Sequence, residues 1–206
     1  MQNLVETINQ LKNSEVKQLV DTRMRELKEI GRDKDNSIFK ELCFCLLTAN
    51  YSAEGGIRIQ KELGNDFLTL PYDELVNKLM SLGHRFPNAR AKYIIEARNR
   101  CDFISKIDSD DEQMIRDLLV KNIKGLGYKE ASHFMRNIGY ENVAIIDFHI
   151  IDLLVRHNLI ERPKTLTKKK YLDIENVLSE IAKRANLNLA ELDFYLWYME
   201  TGKVLK

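Results

Sequence analysis

Residues 122–139 read Asn122-Ile-Lys-Gly-Leu-Gly-Tyr-Lys-Glu-Ala-Ser-His-Phe-Met-Arg-Asn-Ile-Gly139, and the fold turns on them. Apolar residues recur at helical spacing on either side of Gly125 and Gly127, which predicts two helices joined by a glycine hairpin. The first helix should run to about Ile123. The second should begin at Tyr128 and close near Gly139, a residue suited to a left-handed cap. Glycines in such a turn let the backbone come close to a ligand and aim its amides outward at the start of the second helix, so the turn can hold a phosphate. A tight helix–helix turn that binds nothing uses the same glycines.

Working outward, the helical period continues almost everywhere. Ser37 to Asn50 carries Ile38, Leu42, Cys45 and Leu46 at spacings of three and four, a buried stripe on a core helix. Pro71 to Leu82 is expected as a helix stopped by Gly83, and Pro87 opens a basic helix through Arg100. Ser109 and Glu112 have capping-box spacing and predict the start of the first hairpin helix. Beyond the hairpin, Asp147 is placed to cap a helix over Phe148 to His157. Thr167 precedes another, and Asn188 with Glu191 begins a last one. With nine glycines, three prolines and no convincing strand, the expected fold class is all-α.

A chain of 206 residues can bury a sizeable core in one large domain or two smaller ones. Hydrophobic residues at 44% and charged residues at 31% exclude a disordered tail or a fibrous repeat. Apolar runs such as Ile150 to Val155 stop far short of the ~20 residues of a bilayer span. No cationic and apolar leader opens the chain, so an intracellular protein without a membrane partner is expected. Cys43, Cys45 and Cys101 form neither a disulfide framework nor a metal site, since an iron–sulfur cluster needs about four thiolates. No metal and no other cofactor is expected.

Formal net charge is +1 and names no partner. Its distribution is more informative. Arg85, Arg90, Lys92, Arg98 and Arg100 form one basic segment, Lys121, Lys124, Lys129 and Arg136 a second, and Arg162, Lys164, Lys168, Lys169 and Lys170 a third. Such clusters suit a polyanion, and equally suit solvated helix faces balanced by acids.

Two residues give the hairpin chemical meaning. Lys129 lies in the first turn of the second helix, against the positive end of the helix dipole, where further positive charge is disfavoured. A neutral amine there is a nucleophile that can attack a sugar C1′ or a carbonyl and form an imine. An ordinary surface lysine is the plain alternative. Downstream, Ile145-Ile146-Asp147 sets a carboxylate straight after an apolar run, at a helix start. As an N-cap Asp147 needs no further explanation. Together with the hairpin and the lysine, it can stabilise positive charge developing on a sugar and help deprotonate the amine.

Asn122 to Gly139, followed by Val143-Ala-Ile-Ile-Asp-Phe-His-Ile150, resembles the helix–hairpin–helix DNA glycosylase superfamily with its downstream aspartate. More closely the chain is similar to the small type-2 8-oxoguanine DNA glycosylase/AP lyases of archaea and some bacteria. The similarity extends to Glu41-Leu-Cys-Phe-Cys-Leu-Leu-Thr-Ala-Asn50, Leu82-Gly-His-Arg-Phe86 and the tail from Leu192-Asp-Phe-Tyr-Leu-Trp-Tyr198 to Lys206. The four-cysteine cluster loop of endonuclease III-like members is absent.

The resemblance implies a bifunctional repair enzyme whose partner is duplex DNA containing 8-oxoguanine. Lys129 matches the lysine that expels the base and stays bound as a Schiff base before β-elimination, and Asp147 matches the catalytic aspartate. A stacked base is out of reach, so the nucleotide must be flipped out. Phe86 and Trp197 then become candidates for the walls of a base pocket, with Lys206 as a polar contact; for Trp197, core packing beside Leu192 and Tyr195 is equally open. Lys124, Gly125 and Gly127 are candidates to hold DNA phosphates, contacts that position a duplex without reading it. Asn50 is a candidate contact to the orphaned base or a helix C-cap, and His149 a candidate to orient Asp147 or meet a phosphate. Phe148 departs from the arginine that close relatives often carry. The implied architecture has a helical barrel over 31–141, with the hairpin motif at about 112–139. Residues 1–30 join 142–206 in a second subdomain, with a DNA-binding cleft between the two that Lys129 and Asp147 face. A monomer in the cytoplasm, associated with the nucleoid of a prokaryote, is expected. Alternatives in view are a glycosylase/lyase for another oxidised base and a non-catalytic helix–hairpin–helix DNA-binding protein.

Overall fold

A computed structural model describes residues 1–32, 36–100 and 109–206, and every regular element among them is an α-helix. In chain order these are α1 (Gln2–Lys12), α2 (Val16–Arg32), α3 (Ser37–Thr48), α4 (Ala53–Leu63), α5 (Asp66–Thr69), α6 (Tyr72–Ser81) and α7 (Pro87–Arg98). After them come α8 (Glu112–Asn122), α9 (Tyr128–Asn137), α10 (Phe148–Arg156), α11 (Lys168–Ala185) and α12 (Leu189–Thr201). Among the described residues no helix is long and apolar enough to cross a membrane.

Two compact units result, one spanning Ile30–Phe134 and the other combining Met1–Glu29 with Met135–Lys206. Both seams fall inside helices, in α2 and in α9; the family resemblance placed the second edge at about residue 141. In the unit over 30–134, α3 packs on α4 and α7, and α6 on α7. The expected single stripe on α3 is exceeded: Leu42 to Leu47 are all fully buried, so the helix is enclosed by its neighbours, and each such large apolar side chain contributes about 1.5–3 kcal/mol. Even Glu41 is buried there, with its carboxylate accepting from Gln60 Nε2 at 3.0 Å. In the other unit, α1 packs on α11 and α12, and α10 on α12. Cys43 and Cys45 are buried thiols, and Cys101 lies outside the described residues.

Most predicted starts are as expected. Thr167 caps α11 through Lys170 N–H, and Asn188 and Glu191 form a complete capping box on α12. The start of α8 is corrected from Ser109 to Asp111, whose carboxylate accepts from both Gln113 and Met114 N–H at 3.0 and 3.1 Å. An ionised acceptor reaching two donors outcompetes a hydroxyl, and Ser109 Oγ instead accepts from Asp111 N–H in the preceding turn. Pro71 stands just outside α6 in extended backbone rather than within its first turn.

Candidate active site

The hairpin is built from the inside of α8 and α9 outward. Ile123 and Leu126 are buried under the turn, and Leu126 N–H reaches Ile123 carbonyl at 3.3 Å. Fully buried Arg116 of α8 donates to Ser132 Oγ of α9 at 3.1 Å and lies under the Tyr128 ring, 5.0 Å from its centroid. Tyr128 hydroxyl donates back to Asp117. Gly125 has φ +94°, and a Cβ there would stand 2.5 Å from the Tyr93 ring and 3.1 Å from Leu46, so both backbone and space demand glycine. Gly127 N–H donates to Glu130 Oε2 at 3.2 Å, which occupies one of the amides proposed for phosphate. Lys129, the second residue of α9, is half-buried. Lys124 is exposed and faces Glu96 at 3.6 Å, a pair that contributes little in water.

Asp147 is fixed from its own neighbourhood. Val143 to Ile146 lie outside any helix and are buried. Tyr171 hydroxyl donates to Ala144 carbonyl at 2.7 Å and accepts from Ile146 N–H at 3.2 Å, while Ala144 N–H donates to Glu175 at 2.7 Å. The chain therefore arrives at α10 with its backbone satisfied on a rigid support. Asp147 Oδ1 then accepts from Ile150 N–H at 3.0 Å, the expected N-cap. His149 lies between two rings, with Phe148 at 3.9 Å and Trp197 edge-on at 5.2 Å between centroids. Trp197 is half-buried, which makes it part of this stack as well as of α12 packing, and Lys206 ends the half-buried tail beyond α12. Phe148 is 65% exposed.

Asn50 and Phe86 share a support that residue spacing does not reveal. Asn50 is exposed in left-handed backbone at φ +59°, just past α3. Phe86 is 40% exposed at the start of α7, with the Arg85 and Arg90 guanidiniums 5.3 and 5.7 Å from its ring. Buried Arg90 donates to Ala49 carbonyl, and buried His84 bridges Leu47 carbonyl and Phe86 N–H. Of the basic residues grouped by sequence, Arg90, Arg98 and Arg136 are thus structural. Arg98 donates to Phe67 and Leu70 carbonyls at 2.6 Å each, and Arg136 is buried on Phe194 and against Asp193. His84, Arg116 and Glu130 were missed as site-shaping residues; only the placement of His84 before Phe86 and of Glu130 in the first helical turn hinted at them.

The family model described as 8-oxoguanine DNA glycosylase matches residues 20–187. A Methanocaldococcus jannaschii protein named 8-oxoguanine DNA glycosylase/AP lyase is 55% identical over 205 residues, covering 98% of this chain and 99% of its own length. The chain belongs to the 8-oxoguanine DNA glycosylase family. A second glycosylase/AP lyase, from Korarchaeum cryptofilum, is 53% identical over 98% of both chains. The M. jannaschii glycosylase/lyase solved in complex with a 15mer DNA containing 8-oxoguanine superposes with a TM-score of 0.93 at 55% identity, covering 98% of this chain and 99% of its own. A trapped endonuclease III–DNA intermediate, 18% identical with a TM-score of 0.60, shares the fold. The all-α helix–hairpin–helix glycosylase architecture expected from sequence is therefore the one this family member has.

Proposed function

We propose that the protein excises 8-oxoguanine from duplex DNA through a Schiff base on Lys129 and then cleaves the strand 3′ to the abasic site by β-elimination. The observation that carries this reading is end-to-end similarity to a glycosylase/lyase solved with 8-oxoguanine DNA, joined to a first-turn lysine after a glycine hairpin and an aspartate capping α10. Lys129 Nζ attacks C1′ of the flipped nucleotide, and the C1′–N9 electron pair leaves with the base, which takes up a proton. Asp147 offsets positive charge growing on the sugar and accepts the proton that the amine must lose. The sugar ring then opens: the C1′–O4′ electron pair leaves with O4′, which takes up a proton, and C1′ becomes the iminium carbon bonded to Nζ. The iminium acidifies C2′, and loss of a C2′ proton expels the 3′ phosphate. Phe86 and Trp197 serve as stacking walls and Lys206 as a polar contact for the base, at about 1–3 kcal/mol per stack. Lys124 and the Gly125–Gly127 turn hold phosphates, with Asn50 at the orphaned base and His149 near the backbone. We take the protein to act as a monomer on the nucleoid in the cytoplasm, without a cofactor.

Borohydride trapping on an 8-oxoguanine:cytosine duplex tests this, beside undamaged and thymine-glycol duplexes. A covalent adduct specific to 8-oxoguanine and missing in Lys129→Gln is expected. Trapping on thymine glycol alone would overturn the substrate, and no adduct from folded protein would overturn the imine chemistry.

A further inference from the structure

We infer that His84 is a positioning residue for base excision: its buried imidazole ties the Phe86 loop to the end of α3 and holds the exposed Phe86 ring where a damaged base can stack. This rests on the proposed glycosylase reading and goes beyond it, because His84 touches neither Lys129 nor the sugar chemistry assigned to it.

The geometry is that of a latch. His84 is 5% exposed, its Nε2 lies 2.9 Å from Leu47 carbonyl, and Phe86 N–H donates to its Nδ1 at 3.1 Å. With Nδ1 accepting, the ring proton is on Nε2 and the imidazole is neutral. Tyr51 lies over the ring at 4.4 Å and donates its hydroxyl to Gly83 carbonyl at 3.2 Å, while Arg58 donates to Leu82 carbonyl at 2.8 Å. The backbone from Leu82 to Phe86 is thus held at three points, the last of them the amide of Phe86 itself. Gly83, at φ +77°, makes the bend that brings the loop back. What all this holds is a ring left substantially in water between two guanidiniums. Burying a histidine and three loop contacts to fix an exposed phenyl has a reason if the ring must meet a planar partner in one orientation, because stacking depends on geometry.

Burial pushes the His84 pKa below the ordinary 6.5, with Arg90 acting in the same direction and Leu47 carbonyl partly opposing. Arg90 from α7 is the charged group that acts on the ring, titratable Tyr51 lies against it, and Arg58 and Arg85 are held on the same loop, at Leu82 carbonyl and over the Phe86 ring. The neutral form, and with it the latch, persists at neutral pH. As pH falls through the lowered pKa, Nδ1 gains a proton and repels Phe86 N–H.

The test compares two rates for each protein: single-turnover excision of 8-oxoguanine, and strand cleavage at a preformed abasic site, which has no base to stack. His84→Gln removes the Nδ1 acceptor, and His84→Asn places an amide oxygen near it. The excision-to-cleavage ratio is expected to fall roughly tenfold in the Gln variant, the order of losing one base stack, and to be largely rescued in the Asn variant. In the unsubstituted protein the ratio should decline in acid below the ordinary histidine range, and in the Asn variant that limb should vanish. Tyr51→Phe, which removes only the hydroxyl contact to Gly83, should lower the ratio by about twofold and serves if the His84 variants unfold. Parallel loss of both rates, or a lowered Tm with an unchanged ratio, would overturn the inference. Failure of the unsubstituted protein to excise 8-oxoguanine while it cuts abasic sites would instead overturn the proposed function on which this rests.

Discussion

Asp147 and the Gly125–Gly127 hairpin both present a polar group at a helix start, but they are held in opposite ways. Asp147 is held by its own neighbours in sequence: its carboxylate caps Ile150, and the buried residues before it are pinned by Tyr171 and Glu175. The hairpin is held from outside, by the Tyr93 ring against Gly125 and by Arg116 beneath Tyr128. A residue fixed by a cap tolerates any replacement that caps equally well. A turn fixed by close packing tolerates no added atom.

The largest effect should come from separating cap from charge at Asp147. Asparagine caps as well as aspartate, so Asp147→Asn should cost no more than the about 0.3–1 kcal/mol of lost charge at the helix start while excision falls about 10²–10⁴-fold. Asp147→Ala should lose the same activity and about 1 kcal/mol of stability as well. Calorimetry beside single-turnover kinetics would read both, and near-full activity in the Asn variant would show that the carboxylate's charge is not used. Next in size is Gly125→Ala, which should cost about 1–3 kcal/mol and weaken DNA binding in proportion to the hairpin's distortion. Adding Tyr93→Ala removes the 2.5 Å clash but leaves the residue at φ +94°, so the double variant should recover only part of that loss. Full recovery would mean that packing alone, and not backbone conformation, demands the glycine.

A smaller effect is expected at Glu130, whose carboxylate caps Gly127 N–H. Glu130→Gln keeps an acceptor but removes a negative charge from the positive end of α9, at a cost of about 0.3–1 kcal/mol. The same loss of charge beside the hairpin should tighten DNA binding by up to about fivefold, measured by anisotropy at fixed salt. Weaker binding would mean that Glu130 shapes the turn more than it repels phosphate.

What could be read in the sequence follows the same division. Caps are local, so Asp147, Thr167 and the Asn188–Glu191 box announced themselves by spacing. Gly125 and Gly139 marked the turn and the end of α9, because the positive φ each adopts is a local need too. The capping error at α8 arose where Ser109 and Asp111 offered competing local patterns and the charged acceptor won. Long-range supports left no such trace. Arg90, Arg98 and Arg136 read as a basic surface, yet their guanidiniums turn inward to carbonyls, a ring or a carboxylate far along the chain. His84 looked like one more histidine, since both its partners are backbone groups that any sequence supplies.

The smallest effect bears on Asp147's side of the comparison. Phe148 follows Asp147 at the positive end of α10, is 65% exposed and rests on His149 at 3.9 Å. Phe148→Arg should cost about 0.3–1 kcal/mol, because a cation opposes the helix dipole there. If that position meets the DNA backbone, the new cation neutralises one phosphate, and the slope of log affinity against log salt should steepen by about 0.9. Titrations across a potassium chloride series would read the slope directly, independent of any change in catalytic rate. An unchanged slope would place residue 148 away from phosphate. The carboxylate at 147 would then work beside an aromatic stack through contacts to the nucleoside alone, and the salt dependence would come from the hairpin and the other basic segments.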